Sequence, residues 1–178
     1  MVDCDGCGLP IVSPNNNGDE TETLCKPCDN FQGELPSARI SPLTHRDLEL
    51  VLAWRSNPRI YTHFRRQDGP LDWHEHVSWF ESRNSDRYDF VVHFEGRRVG
   101  VINIDSADNV GVLLGDFSAR GQGVATAAVN WLCDRFENRT PLFAEVNVEN
   151  KASKKLFEKC GFQRRRRDGE WLGYVYDP

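Results

Sequence analysis

The chain has 178 residues, 39% of them hydrophobic and 11% aromatic, and its formal net charge is −5. That length accommodates one full-sized domain plus a small appendage, and no apolar run approaches the ~20 residues that a bilayer-spanning helix needs. The charge is uneven: residues 1–35 hold seven acidic residues (Asp3, Asp5, Asp19, Glu20, Glu22, Asp29, Glu34) against one base, Lys26, which argues against a nucleic-acid role for this front end.

The opening Met1-Val-Asp-Cys-Asp5 lacks the charged and apolar regions of a signal peptide, so a cytoplasmic protein with no membrane partner is expected. Cys4-Asp-Gly-Cys7 and Cys25-Lys-Pro-Cys28 are two Cys-x-x-Cys pairs seventeen residues apart. Each pair turns two thiolates toward one point, and two such turns complete a tetrahedral S₄ metal site. Gly8 suits the tight knuckle after the first pair, where its backbone N–H is expected to donate toward a ligand sulfur. Zinc is the expected ion at Cys4, Cys7, Cys25 and Cys28; iron in the same geometry, or redox dithiols and disulfides, are the alternatives. Four thiolates leave no open coordination position, so the metal is expected to be structural. The segment between the pairs includes Ser13 to Gly18, a polar hairpin tip. So few apolar residues make a zinc-ribbon-like module of residues 1–35 dependent on its metal.

Residues 29–37 read as a linker, and residues 36–178 as the main domain. Arg39 to Leu43 reads as a strand, and Thr44 is an N-cap for a helix from Asp47 to Trp54 that Asn57-Pro58 stops. Asp72-Trp-His-Glu75 is a capping box that opens a second helix. Tyr88 to Phe94, Val99 to Ile104 and Val110 to Leu114 follow as strands. Arg120-Gly-Gln-Gly-Val-Ala125 is a glycine-rich turn opening a long helix marked by Val124, Ala128, Trp131, Leu132 and Phe136. A turn of that kind leaves backbone N–H groups free at a helix N-terminus, where the helix dipole favours a phosphate. Leu142 to Val148 is a strand, Ala152 to Cys160 a helix stopped by Gly161, and a hairpin of Phe162 to Arg167 and Trp171 to Tyr176 closes the chain. Cys133 and Cys160 sit on helical faces and read as buried small hydrophobes. The pattern is a mixed α/β domain with one mixed sheet.

Two motifs in this order resemble those of the GNAT family of N-acetyltransferases, over roughly residues 38–177. The acyl-CoA motif Arg/Gln-x-x-Gly-x-Gly/Ala is matched by Arg120, Gly123 and Ala125. The signature Asn-x-x-Ser/Ala-x-x-Leu-Tyr/Phe-x-Lys-x-Gly-Phe is matched by Asn150, Ser153, Leu156, Phe157, Lys159, Gly161 and Phe162. The resemblance implies a GNAT fold, a central twisted sheet flanked by helices, whose fourth and fifth strands splay apart around acetyl-CoA. It implies that Leu113 and Leu114 pair with pantetheine and that Arg120, Gly121, Gln122, Gly123, Val124 and Ala125 hold the pyrophosphate. Asn150 would contact the cofactor while capping the next helix, and Phe157 is carried over as a cofactor contact.

The implied chemistry is attack of a neutral amine on a thioester carbonyl, which needs a proton acceptor and then a proton for the departing thiolate. Glu145 on the fifth strand is the candidate base, with Asp116 in reserve. Many relatives place a tyrosine, the proposed acid, where this chain has Phe157; water, Cys160 or Tyr88 are the substitutes, or the thiolate leaves unassisted. Trp54-Arg-Ser-Asn-Pro58 and Trp73-His-Glu-His-Val-Ser-Trp-Phe80 are similar to the branch acting on nucleotide-linked amino sugars in pseudaminic-acid-type pathways. On that likeness Arg55 and His76 line the pocket of a small-molecule amine acceptor, whereas His63, His74 and Arg164 to Arg167 read as solvated surface. The alternatives are a protein N-terminal or side-chain acetyltransferase and a non-catalytic CoA or partner-binding module. The zinc module's expected task is dimerisation, giving a homodimer, or docking of a partner.

Overall fold

The computed structural model describes residues 2–11 and 23–178; the hairpin tip expected at Ser13 to Gly18 lies outside them. The elements are α1 (Lys26–Glu34), β1 (Ala38–Pro42), α2 (Leu48–Arg55), α3 (Pro58–Tyr61), α4 (Trp73–Glu81), β2 (Tyr88–Phe94), β3 (Arg97–Ile104) and β4 (Val110–Leu114). They continue with α5 (Val124–Arg135), β5 (Leu142–Asn147), α6 (Lys151–Lys159), β6 (Gln163–Asp168) and β7 (Trp171–Tyr176). None of the described helices is long and apolar enough to cross a membrane.

The expected mixed sheet is built from two antiparallel halves. β1-β2-β3-β4 forms one and β5-β7-β6 the other. They meet in parallel where Asn109 bridges Phe143, and there the Phe143 N–H donates to the Asp108 carbonyl at 2.9 Å. Beyond that bridge β4 and β5 part toward their C-terminal ends. β6 is the outer strand of its half, and its residues are all exposed. Its run of arginines blunts an edge that would otherwise invite strand pairing.

The period-2 alternation of the central strands divides the core between two faces. Phe90, Val92, Ile102 and Ile104 pack with the α5 residues Ala128, Trp131 and Leu132 on one face. Val91 and Val101 point to the other face, against Leu48 and Val51 of α2 and Phe80 of α4. α5 is apolar nearly all round, with Val124, Ala127, Ala128, Val129, Trp131, Leu132 and Cys133 buried. Such a helix must be covered on both sides, and α1 packs against it opposite the sheet.

That contact corrects the linker reading of residues 29–37. Pro27 near the helix start fixes a compatible φ, and burial of Cys28 and Phe31 holds α1 in place. Asn57-Pro58 also does more than stop α2. Asn57 caps a new short helix by accepting from the Arg59 N–H at 3.0 Å, and Pro58 is its first residue. Asp47 accepts from both the Thr44 N–H and hydroxyl, so a short 3₁₀ turn precedes α2.

The end of β4 is fixed by a close approach. The Gly115 and Asp116 N–H groups both donate to the Val99 carbonyl, at 3.0 and 3.1 Å, and a Cβ on Gly115 would overlap the Trp54 indole ring. Trp54 therefore seats α2 on the exit of β4. We expect Gly115→Ala to destabilise the fold by about 1–3 kcal/mol through overpacking. Differential scanning calorimetry should record this as a fall in the unfolding midpoint of at least about 2 °C; an unchanged midpoint would contradict the packing described.

Candidate functional site

The parting of β4 from β5 opens a cleft of about 320 Å³. Val112, Leu113 and Leu114 of β4 form one wall, with Arg120, Gly121 and Ala125 at one end. Asn150, Ala152, Ser153 and Leu156, at the start of α6, form another side, and Arg59, Ile60, His63 and Phe64 close over from α3 and the turn after it. β4 pairs with β3 through Val101–Leu113 and Gly100–Leu114, which leaves its other edge without a strand beyond the Asn109 bridge. A free strand edge carries unpaired N–H and C=O groups and accepts an extended ligand as an added strand.

The glycine turn is formed as its residues require. Gly121 and Gly123 have φ of +75° and +83°, and a Cβ on either would meet nothing within 4 Å, so the turn faces open space. Gly123 is the N-cap of α5, and no side chain caps that terminus. Free N–H groups and the positive end of a 12-residue helix are thus presented to the cleft mouth. Gln122 closes the turn behind by donating to the Ser118 carbonyl at 2.7 Å. Val124 is buried beneath it.

Two guanidinium groups lie against one ring there. Arg120 Cζ is 3.7 Å and Arg59 Cζ 4.3 Å from the Phe117 ring centroid. Partial burial, then the Arg59 charge, pulls Arg120 below its ordinary value. Neither arginine has a carboxylate partner among the described residues. The cleft lining contains two arginines and a histidine and no aspartate or glutamate. Open glycines, an uncapped helix terminus and two unpaired cations fit the phosphates of a CoA-type ligand.

Leu113, Leu114, Arg120, Gly121, Ala125 and Asn150 therefore line one cleft. Asn150 also caps α6, accepting from the Ser153 N–H at 3.1 Å. Phe157 does not reach the cleft: it is 3% exposed and packs against Phe162 with ring centroids 5.0 Å apart. Tyr88 packs against Phe136, and the Cys160 thiol faces the Thr126 carbonyl at 3.8 Å. Cys133 and Cys160 are both buried, and burial pushes their thiols up to about 12 and about 11.

Glu145 lies on the exposed face of β5, outside the cleft lining. Its Oε1 accepts from Arg65 at 2.8 Å and from Arg166 at 3.1 Å. Arg65 also donates to Asp168. Glu145 thus ties the loop after α3 to the second half of the sheet. Asp116 is occupied too, by the Ser118 hydroxyl and N–H and by Arg97 at 2.7 Å, and the Ser118 hydroxyl is the main reason its carboxyl sits below the usual range. Arg55 and His76 meet around Trp79, with Arg55 Cζ 5.8 Å and the His76 ring 5.4 Å from its ring centroid. Neither lines the cleft. Arg55 sits behind Phe64, at 5.6 Å, and exchanges hydrogen bonds with Gln67. His76 is 2% exposed, and burial, then Arg55, lowers its pKa.

Cys4, Cys7, Cys25 and Cys28 converge, with all four sulfurs within 4.8 Å of one another and all four residues buried. The Gly8 N–H donates to the Cys4 carbonyl at 2.8 Å, not to a sulfur as expected. Cys4 Sγ instead accepts from the Cys25 N–H at 3.3 Å. Cys28 Sγ accepts from the Trp131 indole N–H at 3.3 Å, which joins the cluster to α5.

His63, read from the sequence as solvated surface, lines the cleft instead, and Arg59, Ile60 and Phe64 beside it carried no site expectation. Their signal was Asn57-Pro58 read as a helix start, an N-cap followed by proline at N1.

Residues 38–163 match the family described as "Acetyltransferase (GNAT) domain". An uncharacterized protein of Methanocaldococcus jannaschii is 36% identical over 152 residues, 79% of this chain but 31% of that protein. The chain thus spans about a third of that relative's length. The crystal structure of a domain from the same organism superposes with a TM-score of 0.73 at 34% identity, covering 78% of this chain and 97% of that one. Spermidine N-acetyltransferase from Vibrio cholerae, solved with CoA and spermine, has a TM-score of 0.64 at 17% identity over 78% of this chain and 92% of its own. That likeness is one of fold.

Arg65 ties the loop after α3 to Glu145 and Asp168 through two partly exposed ion pairs, each weak alone and together with Gln67 able to hold it. We expect Arg65→Ala to speed amide hydrogen exchange across residues 62–69 while leaving β5 unchanged; equal exchange in both proteins would show that Arg65 does not hold the loop.

Proposed function

Because the chain belongs to the GNAT acetyltransferase family, we propose that it is an acetyl-CoA-dependent N-acetyltransferase whose acceptor is a small anionic amine, a nucleotide-linked amino sugar. The observation that carries the acceptor class is the absence of any carboxylate from the cleft lining. A polycationic acceptor would meet repulsion there and no counter-charge. A diphosphate-bearing acceptor would find charge-assisted donors. The same cations disfavour an ammonium close by, which helps deliver the acceptor nitrogen as the neutral amine that attack requires.

On this reading the donor's extended arm lies along the free edge of β4 at Leu113 and Leu114, and its pyrophosphate sits on the turn from Arg120 to Ala125. The N–H groups of the turn and the α5 terminus hold that charge. The fixed loop from His63 to Gln67 keeps the acceptor's side of the cleft in register with β4.

We further assign a structural zinc ion to Cys4, Cys7, Cys25 and Cys28. Tetrahedral S₄ coordination with Zn–S of about 2.3 Å places neighbouring sulfurs about 3.8 Å apart. The Cys7 and Cys25 sulfurs are 3.8 Å apart.

Two measurements test these assignments. The protein is given acetyl-CoA with UDP-glucosamine, spermidine or N-terminal peptide amines, and thiol release is followed. UDP-glucosamine should exceed spermidine in kcat/KM by at least about tenfold, or about 1.4 kcal/mol; preference for spermidine or a peptide would overturn the acceptor class. Elemental analysis should find one zinc per chain, and stripping it should lower the unfolding midpoint, because α1 and the cluster seat on α5. Substoichiometric metal, or iron in its place, would overturn the zinc assignment.

A further inference from the structure

We propose that His63 is the group that takes the proton from the acceptor amine, and that Glu145 serves it as a positioning residue. The proposal rests on the acyl-transfer reading above. It starts from the three candidates for a proton acceptor near β4. Glu145 stands outside the cleft with Oε1 held by Arg65 and Arg166. Asp116 stands outside it as well, engaged by Ser118 and Arg97. His63 lines the cleft together with Leu113 and Leu114, and its ring makes no hydrogen bond, ion pair or ring contact among the described residues. Among the cleft-lining side chains it alone offers a ring nitrogen able to accept a proton, since the lining holds no carboxylate.

The position is held from both sides. The His63 N–H closes the end of α3 by donating to the Ile60 carbonyl at 3.1 Å. Two residues later Arg65 is tied to Glu145 and Asp168, and Gln67 is tied to the Arg55 and Gly69 carbonyls at 2.6 and 2.8 Å. The backbone at His63 is thus anchored before and after, while the imidazole stays free for a ligand.

In the step itself the acceptor nitrogen, an ammonium in solution, gives up one proton to the imidazole as it enters the cleft, where the neighbouring cations favour the neutral amine. The nitrogen lone pair then forms the C–N bond to the acetyl carbonyl carbon, and the C–S bond breaks with its electron pair going to sulfur. The second nitrogen proton ends on that sulfur as the CoA thiol, and the imidazolium returns its proton to solvent. Ammonium and acetyl-thioester become acetamide, thiol and one proton.

The test compares wild type, His63→Gln and His63→Ala. On adding CoA to wild type, the His63 ring resonances should shift; an unperturbed ring would overturn the placement without reference to turnover. His63→Gln should still bind CoA calorimetrically yet lose about 10²- to 10⁴-fold in kcat/KM with UDP-glucosamine. The acidic limb of the wild-type kcat/KM profile should coincide with the NMR titration midpoint of His63 and disappear in His63→Gln, and added imidazole should restore part of the activity of His63→Ala. Retention of wild-type rate and pH profile by His63→Gln overturns this proposal alone. If wild type releases no thiol with any amine tried, the acyl-transfer reading fails and takes this proposal with it.

Discussion

The free edge of β4 is the constraint on which the remaining geometry depends. A strand buried in a sheet would normally pair on both sides, because unpaired backbone groups away from water are costly. Here β4 pairs with β3 along its length but meets β5 only at the Asn109–Phe143 bridge. The strand is held at one end and open at the other. Every wall of the cleft follows from that: Leu113 and Leu114 are presented because β5 has moved away, and α5 and α6 bring their N-termini to the gap because each follows one of the parted strands.

α5 carries that geometry across the molecule. Its first turn holds the open glycines, and its middle carries Trp131, which is edge-on to Phe90 with centroids 4.9 Å apart and donates to Cys28. Truncating a buried tryptophan typically costs about 3–5 kcal/mol, a large part of the 5–15 kcal/mol by which domains are stable. The helix therefore cannot shift without loss of the core. The cysteine cluster, although set in an acidic and mostly polar front segment, is continuous with the same core, so the cluster and the glycine turn both bear on one helix.

Much of this was legible in the sequence, and the failures have specific causes. The glycine turn, the two Cys-x-x-Cys pairs and the strand order rest on local patterns that tertiary packing had no reason to override. α1 looked like a linker because Cys28 and Phe31 are its only buried residues. Its helicity comes from packing on α5, not from its own propensity. The parting of the fourth and fifth strands was expected only through the family resemblance; no local pattern shows it, because it depends on which strands stay apart between segments distant in the chain. Glu145 illustrates the same limit. Alternation along β5 placed it off the core face, but nothing near it in sequence announces Arg65, eighty residues earlier. His63 was read as solvated surface because its position depends on α3, hidden behind a proline read as a stop.

The most direct measurement of the central claim is residue-resolved amide hydrogen exchange with and without CoA. Protection concentrated at Leu114, whose N–H alternates onto the free edge, and at Gly121 to Ala125 is the predicted result, because those N–H groups exchange water for ligand oxygens. Binding of CoA that leaves these amides exchanging as before would contradict the account.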